Sequence, residues 1–186
     1  MARKKKTQPT WKDVKAEIQN FDREGLQGLV RDLYAASKGN QSFLHARLSL
    51  GIDQLKPFKD TISRWINPDI MLNQPISVSK SKKAIAEYRK AIGRPEGMAE
   101  LSVFYCEEAF DFLESCGMED EGYFLALIRM YDQATDFVRQ LGPADRISYV
   151  ERLNNLRSRA SFIGWGIEEE FTDIWLNSGL EDDEHQ

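Results

Sequence analysis

Long apolar runs are missing from this sequence of 186 residues. A helix that spans a bilayer needs roughly 20 consecutive apolar residues, and no stretch here approaches that length. The basic start, MARKKKTQPTW, is not followed by the apolar region that a secretory signal requires. We therefore expect a cytoplasmic protein that has no membrane partner.

Cysteine and histidine are scarce, with two of each. Cys106 and Cys116 fall on one predicted helix, about 15 Å apart along its axis, which is too far for a disulfide. We expect both thiols to be reduced. His45 and His185 belong to no Glu-x-x-His pair of the kind that di-iron bundles use, and no glycine-rich phosphate loop is present. These absences predict no cofactor, no catalytic residues and no enzymatic activity.

Lysine is absent after Lys90, and basic and acidic residues are distributed unequally between the two halves of the chain. Residues 1–94 hold 19 basic and 9 acidic residues, whereas residues 95–186 hold 6 basic and 21 acidic residues. Such asymmetry can indicate an anionic partner for the basic half. It is equally explained if the two halves neutralise each other within the fold.

Almost every segment has the 3.6-residue apolar period of a helix, and no period-two alternation exceeds four residues. The pattern predicts an all-α fold, a compact array or bundle of eight to nine antiparallel helices. Gly39 followed by Asn40 predicts the end of the second helix and the N-cap of the third. The later helices are predicted at about 54–66, 78–92, 96–116, 120–141, 144–162 and 167–177, with 96–116 near the centre.

The domain organisation follows from these helices. We predict a basic disordered leader at 1–9, a single helical domain at 10–178 and an acidic tail at 179–186. The longest irregular connection, 67–76, contains two prolines. A subdomain boundary, if the chain has one, falls in that connection.

A basic face is predicted on the helix at 78–92, because its lysines and arginines share one side of the helical wheel. Three lysines in the first turns of a helix oppose its dipole, so an anion bound there would explain them. A solvated lysine face is the other interpretation. The residues predicted for anion or nucleic-acid binding are Arg3, Lys4, Lys5, Lys6, Ser77, Ser79, Lys80, Lys82, Lys83, Arg89 and Lys90.

An acidic seam is predicted on the next helix, where five carboxylates fall near one line of the wheel. Carboxylates at this spacing could hold a hard cation such as Mg²⁺, although a structural or interaction seam is the favoured interpretation. The seam consists of Glu96, Glu100, Glu107, Asp111 and Glu114.

The glycines on either side of Trp165, in the segment IGWGIEEEF, predict a break between the last two helices. We expect Trp165 to pack as an anchor; an exposed tryptophan there would instead indicate a binding spot. The three glutamates that follow favour the start of a helix, because they complement its dipole.

Four segments together resemble a family of small bacterial helical proteins of unknown function. They are DLYAASKGNQSFLHARL, SVSKSKKAIAEYRKAIGRPEGMAELSVFYCEEAFDF, DEGYFLALIRMYDQA and SFIGWGIEEEF. The resemblance covers about Trp11 to Leu180. It implies a bacterial, cytoplasmic, all-helical protein and carries no site residue with it.

Three functions are consistent with these patterns. The favoured one is a non-catalytic adaptor that docks a protein partner. The alternative is a nucleic-acid-binding protein that uses the basic N-terminal half. The second alternative is a carboxylate–metal hydrolase built on Glu100, Glu107 and Asp111. The sequence identifies neither the partner nor the oligomeric state.

Overall fold

The computed structural model of the protein describes residues 8–48, 50–51 and 53–180. Within these ranges it has nine α-helices, one short 3-10 helix and no strand, so the predicted all-α class is confirmed. Arg3, Lys4, Lys5, Lys6 and residues 181–186 lie outside the described residues. The helices are α1 (Trp11–Ile18), α2 (Arg23–Ala36), α3 (Lys38–Arg47), α4 (Lys56–Ile66), α5 (Val78–Ala91), α6 (Pro95–Cys116), α7 (Glu121–Arg139), α8 (Pro143–Ala160) and α9 (Ile167–Ser178), with the 3-10 helix at Ile70–Leu72.

The chain divides into two compact units, Met1–Leu44 and His45–Gln186. The segment 67–76 lies within the second unit. The single domain at 10–178, with 67–76 as the place for any subdomain boundary, stays a prediction.

Capping side chains fix where the first two helices begin. The N–H and the hydroxyl of Thr10 donate to the Asp13 carboxylate at 2.7 and 2.8 Å. Asp22 accepts a hydrogen bond from the Gly25 N–H at 2.7 Å, as a predicted N-cap should. No side chain of α1 or α2 is buried, so neither helix adds a buried residue to a hydrophobic core.

The boundary between α2 and α3 corrects one prediction. The assignment of Gly39 to the end of α2 and of Asn40 to the cap of α3 is wrong, because both lie inside α3. Ser37 caps α3 instead, since its hydroxyl accepts from the Asn40 N–H at 3.1 Å. The Asn40 amide donates to the Leu33 carbonyl at 2.6 Å and so satisfies an open carbonyl of α2.

Helix α6 is central in the second unit, as its sequence predicts. It packs against α4, α5, α7 and α8. It begins at Pro95, where a missing N–H costs nothing. It ends at Gly117, which adopts the left-handed conformation that closes many helices (φ 60°).

Aromatic contacts hold the other helices against α6. The buried ring of Phe110 meets Phe171 of α9 edge-on at 5.6 Å, and Phe171 stacks on Tyr131 of α7 at 3.8 Å. The Tyr123 hydroxyl donates to the Ile66 carbonyl at 2.8 Å and joins α7 to the end of α4. These contacts join α9 to α6 and α7, and α7 to α4.

Candidate functional site

The acidic seam of α6 is paired with basic side chains of the same unit. Arg152 of α8 donates to Glu107 through two nitrogens at 2.7 Å each, and to Glu100 at 2.6 Å. Lys59 of α4 donates to the same Glu100. Bidentate guanidinium–carboxylate bonds are among the strong ones in proteins, so this cluster ties α4 and α8 to α6.

A second cluster lies further along the same helices. Arg159 donates to Glu114 through two nitrogens at 2.9 Å each, and to Asp111 at 2.7 Å. Glu96, the remaining member, is exposed. Four members of the seam, Glu100, Glu107, Asp111 and Glu114, thus make structural contacts within this unit; the use of the seam by a partner stays a prediction.

The protonation states follow from these contacts. Burial acts to raise the pKa of Glu100, but the hydrogen bonds from Arg152 and Lys59 outweigh it, and the net effect lowers that pKa. The hydrogen bonds from Arg159 lower the pKa of Glu114. Guanidinium groups thus lie where the hydrolase hypothesis would place a cation. Among the described residues, no group of three or more His, Cys, Asp or Glu is arranged to hold a metal ion.

The start of α5 gives its lysines partners within the chain. The Ser77 hydroxyl caps the helix by accepting from the Lys80 N–H at 3.4 Å. The Lys80 ammonium lies 3.7 Å from the centre of the Trp65 ring, within cation–π range. Lys83 pairs with Glu87 one turn later at 3.7 Å. Intramolecular contacts therefore account for part of the charge that the sequence left unexplained.

Three residues of the basic face border an open cavity of about 360 Å³ between α5 and α7. Lys82, Lys83 and Arg89 line it together with Ile85, Ala86, Met130 and Gln133. Lys90 is exposed and does not line this cavity. Part of the predicted basic face therefore borders a cavity whose other lining residues are mainly apolar.

Another open cavity, of about 450 Å³, lies between the loop that follows α6 and the loop that follows α8. We call it the aromatic pocket. Phe162 and Trp165 in its wall are 86% and 60% exposed. Trp165 is therefore not a buried anchor, although its ring stacks on buried Phe124 at 5.4 Å. The lining residues are Leu113, Glu114, Gly117, Met118, Glu119, Phe162, Ile163 and Trp165.

The backbone holds Trp165 in an unusual conformation. Gly164, Trp165 and Gly166 have φ values of 78°, 58° and 72°, three consecutive positive angles. Glycine adopts this region freely, but a bulky residue there is an outlier that costs about 1–3 kcal/mol. The loop thus keeps a large aromatic ring at the surface in a strained backbone.

Both cysteines are free, as predicted. Burial raises the pKa of the Cys106 thiol well above its ordinary value. A thiol of that kind is a poor nucleophile at neutral pH, because the reactive form is the thiolate.

No known protein family, curated protein or solved structure matches this chain. The resemblance to a family of small bacterial helical proteins therefore stays a prediction. No helix among the described residues is long and apolar enough to cross a membrane.

Proposed function

We propose that this protein is a non-catalytic adaptor that docks a protein partner at the aromatic pocket. The observation that carries the proposal is Trp165, exposed and held in a strained backbone beside exposed Phe162. Tryptophan dominates the energetics of protein interfaces, because it buries a large area with few rotatable bonds. Trp165 is 60% exposed, and the exposed part of its ring contributes no burial to the free protein.

The side chains that could do chemistry support a non-catalytic role. Glu100, Glu107 and Arg152 satisfy one another, and Cys106 is buried. An active site needs a nucleophile and a base, or metal ligands, that converge in a pocket. The unpaired thiols and the resemblance support a cytoplasmic location in a bacterial cell.

A pull-down from the source cell tests the proposal, with three forms of the bait. The wild type should retain one main protein after nuclease treatment, and Trp165→Ala should lose it. Leu176→Ala is the matched control, because it removes another half-exposed apolar side chain that does not line the aromatic pocket. Equal capture by all three forms would refute docking at the pocket.

Nucleic-acid binding is the second candidate, and Trp65 favours it. The half-buried Trp65 ring carries the Arg64 guanidinium at 4.5 Å and the Lys80 ammonium at 3.7 Å. An aromatic ring among cations is the arrangement that proteins use to stack bases beside phosphates.

Fluorescence anisotropy with labelled single-stranded and duplex DNA at two salt concentrations tests this second candidate. Binding should weaken with salt by a log–log slope of about −0.9 for each phosphate neutralised on duplex DNA. The combined changes Lys80→Ala, Lys82→Ala and Lys83→Ala should remove the binding while the circular dichroism spectrum stays helical. Nuclease-sensitive capture in the pull-down would favour this candidate over the adaptor.

A further inference from the structure

We propose that the aromatic pocket receives an arginine side chain of the docked partner. This inference rests on the proposed adaptor function and specifies the chemistry of its partner. The occupant is a peptide segment that carries at least one arginine. Charge complementarity and the exposed aromatic rings of the pocket carry the assignment.

The charges around the aromatic pocket favour a cationic ligand. Its lining includes two carboxylates, Glu114 and Glu119, and no basic side chain. Arg159 already binds Glu114 and Asp111, so that cluster of one cation and two anions keeps a net negative charge. Glu119 is exposed and has no hydrogen bond or ion pair within the described part of the chain. Its charge is thus available to a partner.

Both walls of the pocket continue into acidic helix starts. The first wall leads into α7 through Asp120 and Glu121, and the second leads into α9 through Glu168, Glu169 and Glu170. A cleft lined by charge of one sign concentrates ligands of the opposite sign. An acidic ligand would meet repulsion from both sides.

The aromatic rings favour a guanidinium over an ammonium. Arginine is planar, stacks on aromatic faces and binds carboxylates through two parallel hydrogen bonds, whereas lysine is a compact point charge. One face of Trp165 stacks on Phe124, and its exposure shows that the ring remains accessible. Trp165 and Phe162 line the same pocket as Glu114 and Glu119, so the pocket offers one guanidinium both a ring and a carboxylate.

The chain itself uses this combination twice. Arg152 lies over Tyr149 at 5.4 Å and Arg159 over Phe110 at 5.5 Å. Arg152 and Arg159 bind carboxylates at the same time. The aromatic pocket offers both halves of this contact without an arginine of its own in the lining.

The test is an NMR titration of the full chain with three capped peptides that differ at one position. The sequence Gly-Ser-Xaa-Ser-Gly carries arginine, lysine or citrulline, a neutral analogue of arginine with nearly the same shape. The amide signals of Gly117, Gly164 and Gly166 report on the two loops in every variant. A single side chain should bind weakly, on the order of millimolar.

The arginine peptide should shift these signals saturably, with a dissociation constant at least about tenfold lower than that of the citrulline peptide. Trp165→Ala and Glu119→Gln should each weaken it severalfold, while Glu151→Gln, an exposed carboxylate of α8 outside the pocket, should not. Equal binding of citrulline or lysine, no binding of any peptide, or no effect of Trp165→Ala would overturn the assignment.

The outcomes also separate this inference from the proposed function. If capture of a protein depends on Trp165 but the chain binds the three peptides equally, the adaptor proposal stands and the arginine inference fails. If the chain binds the arginine peptide more tightly than the other two but captures no protein, the arginine inference stands and the adaptor proposal fails. Shifts of the same glycines with protein concentration alone would assign the pocket to a second copy of this chain and overturn the inference.

Discussion

Removal of the Arg152 guanidinium should destabilise the second unit more than any change at an exposed ion pair. We consider Arg152→Met, which keeps much of the side-chain volume and deletes the charge. The Arg152 side chain is 28% exposed, Glu107 is 28% exposed and Glu100 is 16% exposed. The variant therefore leaves two largely buried carboxylates with fewer partners.

The expected loss in the free energy of unfolding lies between two limits. Deleting one partner of a fully buried ion pair costs about 3–5 kcal/mol, and an exposed pair contributes about 0.2–1 kcal/mol. Arg152 is intermediate in burial, and Lys59 remains beside Glu100. We expect a loss of about 2 kcal/mol in the free energy of unfolding. The midpoint of thermal unfolding should fall by about 4–8 °C.

Urea unfolding followed by circular dichroism measures this loss. Lys56→Ala is the matched control, because Lys56 and its partner Asp60 are 68% and 62% exposed. It should change the free energy of unfolding by less than about 0.5 kcal/mol. If Arg152→Met were no more destabilising than Lys56→Ala, the conclusion that this cluster joins α8 to α6 would be refuted.

The same variant should change the response to acid. The folded-state pKa of Glu100 is lowered from its ordinary value of 4.5, so the folded state binds this proton less readily than the unfolded chain does. The resulting stabilisation is complete above about pH 4.5 and is lost as the pH falls through the lowered pKa. The stability difference between wild type and Arg152→Met should therefore be constant near neutrality and shrink in acid, as Glu100 becomes protonated in the folded state of both proteins.

Three further changes test the packing around α6 by the same unfolding assay. Phe110→Ala, at a fully buried site, should cost about 3–5 kcal/mol, and a loss below about 1 kcal/mol would show that α6 is not central. Tyr123→Phe deletes the hydrogen bond to the Ile66 carbonyl and should cost about 1–3 kcal/mol; an unchanged stability would contradict that bond. Gly97→Ala places a methyl group against the Tyr88 hydroxyl and should cost about 1–3 kcal/mol, whereas an increase in stability would contradict the close approach of α5 and α6.

Helix periodicity made the architecture predictable. The apolar spacing located the centre at α6, and Gly117 marked its end. The boundary at Ser37 was missed because serine and asparagine are similar as N-caps, and Asn40 instead donates its amide to the Leu33 carbonyl of α2. Local sequence does not contain that information.

The candidate site was less predictable, because it depends on which helices face each other. The seam on α6 was visible as a stripe, but its partners lie on α4 and α8. Arg152 and Arg159 are seven residues apart, the same spacing as Glu107 and Glu114, and this matched spacing was the available signal. The glycines beside Trp165 indicated a turn, whereas the approach of Glu119 to the same pocket required the tertiary fold.

Site-specific photo-crosslinking at Phe162 tests the central claim most directly. A benzophenone amino acid at this 86% exposed position should capture one protein in the source cell, and mass spectrometry should map the cross-link to a segment that contains arginine. The same amino acid at exposed Leu176, outside the aromatic pocket, serves as the control. We expect one specific adduct at Phe162 that Glu119→Gln weakens and that Leu176 does not form. Identical adducts at both positions, or none at Phe162, would contradict it.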